Sequence, residues 1–394
     1  MTSTADTRPR WLVLAALVMV AINLRMALSS IPAVLKDIQD ATGWSGLTLG
    51  TLTTIPVLCM GVFALAVPRI ARRIGRRQAV ALALLFLVVA LTARLFAEVP
   101  GVLHLSVLLA GVGIAIAGGL VPSIVREQLP DAVGAATGLW TATMLLGAAM
   151  GGSLTVPLAD WFGSWQKALA FWAIPAALGL LVWWRVEAAH HPAQHVDRPL
   201  VGVRELPWRN RTAWALTIYL AMNSVVFYTS LAWLAPSFVE RGWSRTGAGW
   251  LLGVFTVSEV GFALVMPHMA ERSRARRTIY AMTIGFVVLP ILAVAWIPNT
   301  WTWAVIFIFG AALGGGFAMG LALLAEYGAT PAASARLTAM AFFVTYVTAA
   351  LGPIIAGAIL DAVDSWPTIY TLLAAAAAVQ LATVPALGRG IRIE

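Results

Sequence analysis

Apolar residues fall into twelve long blocks along this chain. They lie at about 11–33, 46–67, 78–97, 102–125, 132–158, 167–186, 212–236, 246–268, 278–296, 302–325, 337–360 and 367–387. Short polar breaks separate them. A helix needs roughly 20 apolar residues to cross a 30 Å hydrocarbon core, and the blocks are of that length. Glycine and proline recur inside them, which membrane helices tolerate because neighbouring helices re-satisfy the freed backbone groups. The pattern predicts an all-α membrane protein of twelve transmembrane helices.

The breaks carry their own pattern. With the N-terminus in the cytoplasm, 20 of the 26 basic residues fall in cytoplasmic segments, including five arginines from Arg69 to Arg77 and four from Arg272 to Arg277. The opposite loops hold only Lys36, Lys167, Arg241 and Arg245. Such bias orients membrane proteins and puts both termini in the cytoplasm. Trp161, Trp165, Trp243, Trp301 and Trp366 then girdle the outer interface, and Trp11, Trp183, Trp184 and Trp208 the inner one, as an aromatic belt does. The composition, 60% hydrophobic and 11% charged, excludes an ordinary soluble domain, where about 25% of residues are charged. The net charge of +9 is spread over the breaks rather than gathered in one patch, so no nucleic-acid partner is expected. A single cysteine, Cys59, provides neither a disulfide framework nor a thiolate metal cluster. The first block is long enough to span and ends without a small-residue cleavage site, so it reads as a helix rather than a signal peptide.

The two halves echo each other at an offset of about 200 residues. Asn23 and Ser30 recur as Asn223 and Ser230, and Pro68-x-x-Ala71-x-Arg73 recurs as Pro267-x-x-Ala270-x-Arg272. Gly113 and Gly119 match Gly314 and Gly320, while Gly151, Asp160, Ser164 and Trp165 match Gly352, Asp361, Ser365 and Trp366. Six spans separate each pair, so the repeats insert in the same orientation about an axis along the membrane normal. The expected organisation is a six-helix bundle over 1–186, a cytoplasmic linker over 187–211 and a second pseudo-symmetric six-helix bundle over 212–394.

Three stretches then carry a family resemblance. The first is Asn23-Leu24-Arg25. The second runs through Gly113-Ile114-Ala115-Ile116, Val121-Pro122, Arg126, Leu129-Pro130, Thr137-Gly138-Leu139 and Val156-Pro157. The third comprises Asn223-Ser224, Phe227-Tyr228, Trp233-Leu234, Tyr346 and Gly352-Pro353. Over essentially its whole length the chain resembles the major facilitator superfamily, and within it the cyanate and 2-nitroimidazole transporter (CynX/NimT) group. The superfamily signature G-x-x-x-D-R-x-G-R-R reads here from Pro68 to Arg77, with Pro68 in place of the Gly and Arg72 in place of the Asp; Glu271 is the acid at the equivalent place in the second half. The resemblance implies the major facilitator fold and a monomer in the bacterial cytoplasmic (inner) membrane. It also implies secondary active transport by alternating access, with no cofactor beyond a coupling proton.

Within the blocks, Arg25 is the sharpest chemical signal. It lies 14 residues into the first block, roughly 21 Å along a helix, where a charge is costly unless it faces a watery cavity or a partner. Its guanidinium forks onto carboxylates and other planar anions. Its repeat counterpart is Val225, so the charge is not part of the shared scaffold. Arg25 reads either as receptor for an anionic or polar substrate or as half of a buried pair with Glu259 or helix-end carbonyls. Glu259 is the one acid well inside a block. Low dielectric favours the neutral form of a carboxylate, so Glu259 is the proton-coupling candidate; the alternative is a helix-packing role.

Asn23 and Asn223 could bind the solute or each other, or join helices. Asn23 and Arg25 are two residues apart and point about 160° from one another, so only one can aim directly into a cavity. Ser29, four residues after Arg25, can share its face. Tyr228 and Tyr346, with Phe227, Trp140 and Trp233, are candidate cavity walls. Arg94 near the end of its block is expected to snorkel. His190, His191 and His195 lie in the linker, where no metal site is expected, and the glycine runs Gly118-Gly119 and Gly314-Gly315-Gly316 are expected to permit close helix approach.

Other classes fit poorly. A phosphate-cradling loop needs Gly-Lys, and Lys36 and Lys167 follow Leu and Gln. No cluster of His, Asp or Glu inside the blocks suggests catalysis, and no charged ring or filter sequence suggests a channel. The expected function is proton-coupled import of a small anionic or polar planar solute, such as cyanate-like or carboxylate anions. The alternative is export of small aromatic or nitroimidazole-type drugs by proton antiport.

Overall fold

The computed structural model describes residues 10–129, 132–187, 202–297, 299 and 301–393. Each apolar block is a helix long and apolar enough to cross a membrane: α1 (Trp11–Ala33), α2 (Gly46–Ala64), α3 (Arg76–Phe96), α4 (Val102–Val125), α5 (Ala135–Phe162), α6 (Trp165–Arg185), α7 (Arg211–Glu240), α8 (Arg245–Arg272), α9 (Arg276–Trp296), α10 (Thr302–Tyr327), α11 (Ala332–Val363) and α12 (Trp366–Ala386). Helix ends depart from block ends because the blocks mark hydrocarbon, not helix. α11 has 32 residues, about 48 Å at 1.5 Å per residue, and carries Arg336 beyond the apolar stretch. The second block ends differently: α2 stops at Ala64, and a separate short helix, Val67–Ile74, begins with Pro68 in its first turn, where a missing N–H costs nothing. A second short helix, Leu35–Thr42, follows α1.

The sequence repeat reappears in capping and packing. Ser45 and Ser244 cap α2 and α8, and Ser164 and Ser365 cap α6 and α12, each hydroxyl accepting a first-turn backbone N–H. α1 packs on α5 and α6 as α7 packs on α11 and α12; α2 packs on α4 as α8 packs on α10; α3 packs on α4 and α6 as α9 packs on α10 and α12. Two ion pairs repeat as well. Arg76 meets Glu127 at 2.5 Å, joining α3 to the end of the α4 helix. Arg276 meets Glu326 through two bonds of 3.0 and 2.6 Å, joining α9 to α10.

The halves meet along two seams, α2 with α11 and α5 with α8. Small residues make both possible. A Cβ on Gly46 would stand 2.6 Å from the Gly357 carbonyl, one on Gly50 2.5 Å from that of Pro353, and one on Gly249 2.9 Å from that of Gly152. Thr54 adds a hydroxyl bond of 2.6 Å to the Ala350 carbonyl.

The α5–α8 seam lies toward the end of α5 and the start of α8, on the far side of the molecule from the start of α1 and the end of α12. On α8 the seam face continues from Gly253 to Val257 and Leu264, and on α5 it continues from Ser153 back to Leu146 and Leu139, at four- and seven-residue spacing. These four residues are exposed. α5 and α8 are therefore joined at Gly152, Ser153, Gly249 and Gly253, and that contact does not continue along these faces to Leu139 and Leu264.

Linker residues 188–201 lie outside the described residues, and with them His190, His191 and His195. The remainder docks through buried Leu206 before Asn210 caps α7. After α12 the chain folds back, pairing Ile393 with Gly328, and Arg389 donates to the Glu271 and Ser273 carbonyls at the end of α8.

Glycines in α10 set the approach of α8. A Cβ on Gly310 would collide with the Phe255 carbonyl and the Ser258 hydroxyl, whereas one on Gly118 would meet nothing within 4 Å. Gly310→Val is expected to destabilise the detergent-solubilised protein by about 1–3 kcal/mol, the usual effect of overpacking. Gly118→Val should leave the thermal unfolding midpoint unchanged in the same measurement.

Candidate functional site

α1 and α7, the first helices of the two halves, touch near the centre of the molecule. There Arg25 leaves α1 half-buried and reaches across to α7. Its Nη1 donates a long hydrogen bond of 3.4 Å to the Tyr228 hydroxyl, and its Cζ stands 6.0 Å from the centre of the Phe227 ring. The charge thus gains one weak donor bond and a cation–π contact. Tyr228 in turn donates toward the Met60 sulfur of α2 at 3.8 Å.

Aromatic rings close the surroundings. Tyr228 meets Tyr346 of α11 edge-on at 6.2 Å, and Tyr346 meets Phe342 at 5.8 Å. Phe227 stacks on Phe255 of α8 at 5.8 Å. Six spans therefore contribute to one cluster: α1, α2, α7 and α11 directly, α8 through Phe255, and α10 through Phe309, which lies 5.2 Å from Phe255.

Glu259 completes the electrostatics. Its backbone presses on Gly314 of α10, with the Glu259 Cα 2.6 Å from where a Gly314 side chain would begin. Its Oε1 is buried with no hydrogen-bond partner, and Arg25 and Glu259 attract each other through space without closing an ion pair. An open guanidinium, an open carboxylate and aromatic walls can together accept a compact anion at one group and a proton at the other.

Several expectations are corrected by this arrangement. Asn23 does not face the cluster: its amide donates to the Met19 carbonyl at 2.6 Å and the Pro175 carbonyl of α6 at 3.0 Å, and Gly179 makes room for it. Arg25 takes the central side of α1, so Asn23, two residues away, points into the bundle. Asn223 turns inward likewise, donating to the Leu313 carbonyl at 3.3 Å and accepting from Gln380 at 3.2 Å. Both amides join helices, and they do not meet each other. Ser29 does not share the guanidinium's surroundings. Its hydroxyl bonds the Arg25 carbonyl at 2.9 Å and packs toward Gly151 of α5.

Arg94 does not snorkel: it is fully buried, donating to Ser106 at 3.2 Å, Ser30 at 3.0 Å and the Ala27 carbonyl at 2.9 Å. Trp233 is held against the Pro353 carbonyl at 2.9 Å and Trp140 is buried in α5, neither in the cluster. Of the residues singled out from the sequence, Arg25, Glu259, Phe227, Tyr228 and Tyr346 come together. Met60, Phe255, Phe342 and Gln380 went unnoticed, being apolar or amide side chains with no periodic signal of their own.

Comparison with known proteins bears on this cluster. A sequence model of the Major Facilitator Superfamily matches residues 13–241 and 231–387. The chain belongs to the Major Facilitator Superfamily. As a member it is a multi-pass membrane transporter. It is 29% identical over 347 residues to the cyanate transport protein CynX of Escherichia coli (strain K12), covering 87% of this chain and 88% of that one. It is 29% identical over 362 residues to a 2-nitroimidazole transporter of the same organism, covering 91% of this chain and 90% of the relative. Its fold matches the crystal structure of the nucleoside transporter NupG with a TM-score of 0.75 at 15% identity, over 95% of this chain and 98% of that one. In this Major Facilitator Superfamily chain the Arg25 cluster sits where the two bundles meet.

Proposed function

We propose that the protein is a secondary active transporter that imports a small anionic or polar planar solute together with a proton, by alternating access. Arg25 receives the anion and Glu259 carries the proton; Tyr228, Tyr346 and Phe227 wall the solute. The observation that carries this reading is the open state of the Arg25–Glu259 pair: a permanent charge on a membrane helix, facing the junction of the halves, with most of its donors uncommitted. Cyanate-like and carboxylate anions suit a forked donor, and the likeness to a protein named for cyanate transport supports that class. The arginine bias supports cytoplasmic termini in a bacterial inner membrane. The far face, where α5 and α8 are joined, is then the outside. The protein works as a monomer with no cofactor beyond the coupling proton.

A second reading is export of small aromatic or nitroheterocyclic solutes. The aromatic walls and the relative named a 2-nitroimidazole transporter favour it. A thermal-shift screen of purified protein separates the two. Cyanate or a monocarboxylate at about 100 times its Kd should stabilise the protein by roughly 2.7 kcal/mol, and Arg25→Ala by no more than about 0.9 kcal/mol at the same concentration. Stabilisation by nitroimidazoles alone, unchanged in Arg25→Ala, would overturn the anion reading.

A further inference from the structure

The short helix that follows α1 and the first turn of α8 carry a second pair of charges on the far side. Twelve residues past Arg25, on the helix Leu35–Thr42, stands Asp37; fourteen residues before Glu259, at the first position of α8, stands Arg245. Arg245 is ion-paired through Nη1 with Asp37 and, at 2.5 Å, through Nη2 with Asp160 at the end of α5. α1 leads toward the far face and into the helix Leu35–Thr42, while α8 runs away from that face, so α8 is the one element common to two charge pairs of opposite polarity. The far pair is closed and the central one is open. On the other seam, Asp361 accepts the Gly46 and Leu47 backbone N–H groups at 2.6 and 2.8 Å, in the first turn of α2. Asp160 and Asp361 are repeat partners, so equivalent carboxylates latch both seams, one on a guanidinium and one on a helix N-terminus.

We propose that Arg245, gripped by Asp37 and Asp160, is a positioning residue of the transport cycle that holds the far side shut and ties that closure to the Arg25–Glu259 pair through α8. The inference rests on alternating access, not on the identity of the solute. Arg245 and Glu259 lie on one unbroken helix whose proline, Pro267, comes after both. A change of charge at Glu259 therefore alters the pull on the element that bears the latch. Opening the far side parts α8 from α5, which separates Arg245 from Asp160.

The test uses the full-length protein with Cys59→Ala and a reporter cysteine, Ser153→Cys, in the α5–α8 seam, where Ser153 is 4% exposed. A membrane-impermeant maleimide is applied from the far side, and labelling is normalised to total thiol after denaturation. Arg245→Ala should speed labelling about three- to fivefold, the scale of two lost exposed ion pairs. Arg245→Lys, which keeps the charge, should stay near the native rate. Asp37→Asn with Asp160→Asn should match Arg245→Ala, and adding both to Arg245→Ala should give no further increase, because interacting residues are non-additive. Asp364→Asn, another far-side carboxylate, should change nothing. Glu259→Gln should alter the rate in the native background but not after Arg245→Ala. An unchanged rate in Arg245→Ala, or effects of Arg245 and Glu259 that simply add, would overturn the proposal. The readout needs neither solute nor proton gradient, so its failure leaves the anion reading to the thermal-shift screen.

Discussion

Arg25→Ala is expected to lower the affinity for an anionic solute at least about thirtyfold and to cut its uptake at low concentration by a similar factor. Truncating one partner of a desolvated charge pair costs 2–5 kcal/mol or more, and each 1.4 kcal/mol is a factor of ten. Little in the fold depends on the guanidinium: one 3.4 Å bond to Tyr228 and a 6.0 Å approach to the Phe227 ring. The variant should therefore fold and reach the membrane in native amounts, which separates a binding role from a structural one. Arg25→Lys keeps a charge but loses the planar fork, and an intermediate loss of roughly tenfold is expected for one missing charge-assisted bond. Titration calorimetry with cyanate or a monocarboxylate measures both. Equal affinity in the native protein and Arg25→Ala would remove the anion receptor from the reading.

The twelve spans were legible because lipid demands apolar side chains over a fixed thickness, and that demand leaves a mark on every block. The repeat was legible too, and it carried more than symmetry: Ser164 and Ser365 proved to be helix caps, and Asp160 and Asp361 the latches of two seams. Arg76 and Arg276, with Glu127 and Glu326, obey the same offset and could have been found by it. What the sequence could not reveal is direction. A polar residue in a membrane helix serves equally to bind a solute or to join helices, and only packing decides. Asn23 and Asn223 were drawn to the site by their polarity, yet Pro175, Leu313 and Gln380 hold them inside their bundles. Arg94 stood near a block end, where snorkelling is the cheap solution, but Ser30 and Ser106 offered buried acceptors instead. Met60, Phe255 and Phe342 read as ordinary lipid-compatible residues until the fold set them against Tyr228, Phe227 and Tyr346.

Glu259→Gln is expected to uncouple transport from the proton gradient while leaving downhill movement of the solute intact. Glutamine keeps the size and shape of the side chain, so the close approach of α8 to Gly314 is undisturbed. What it removes is the choice between a charged and a neutral form. The native carboxylate has one oxygen buried without a partner, and an unpaired buried charge is costly by several kcal/mol. Two events can relieve that cost, a proton on Glu259 or closer approach of Arg25. An anion bound to Arg25 withdraws the second, so solute and proton come to favour the same state. Glutamine is neutral throughout and breaks the linkage. In proteoliposomes with a gradient of one pH unit, a one-proton symporter accumulates its solute about tenfold, since one unit is worth 1.36 kcal/mol. Glu259→Gln should fill the same vesicles only to equal concentration, with counterflow exchange preserved, and Glu259→Asp should retain part of the accumulation. Tenfold accumulation by Glu259→Gln would move the proton site elsewhere, and because Glu259 is the one acid deep within a span, it would leave direct carboxylate coupling inside the membrane without a residue to perform it.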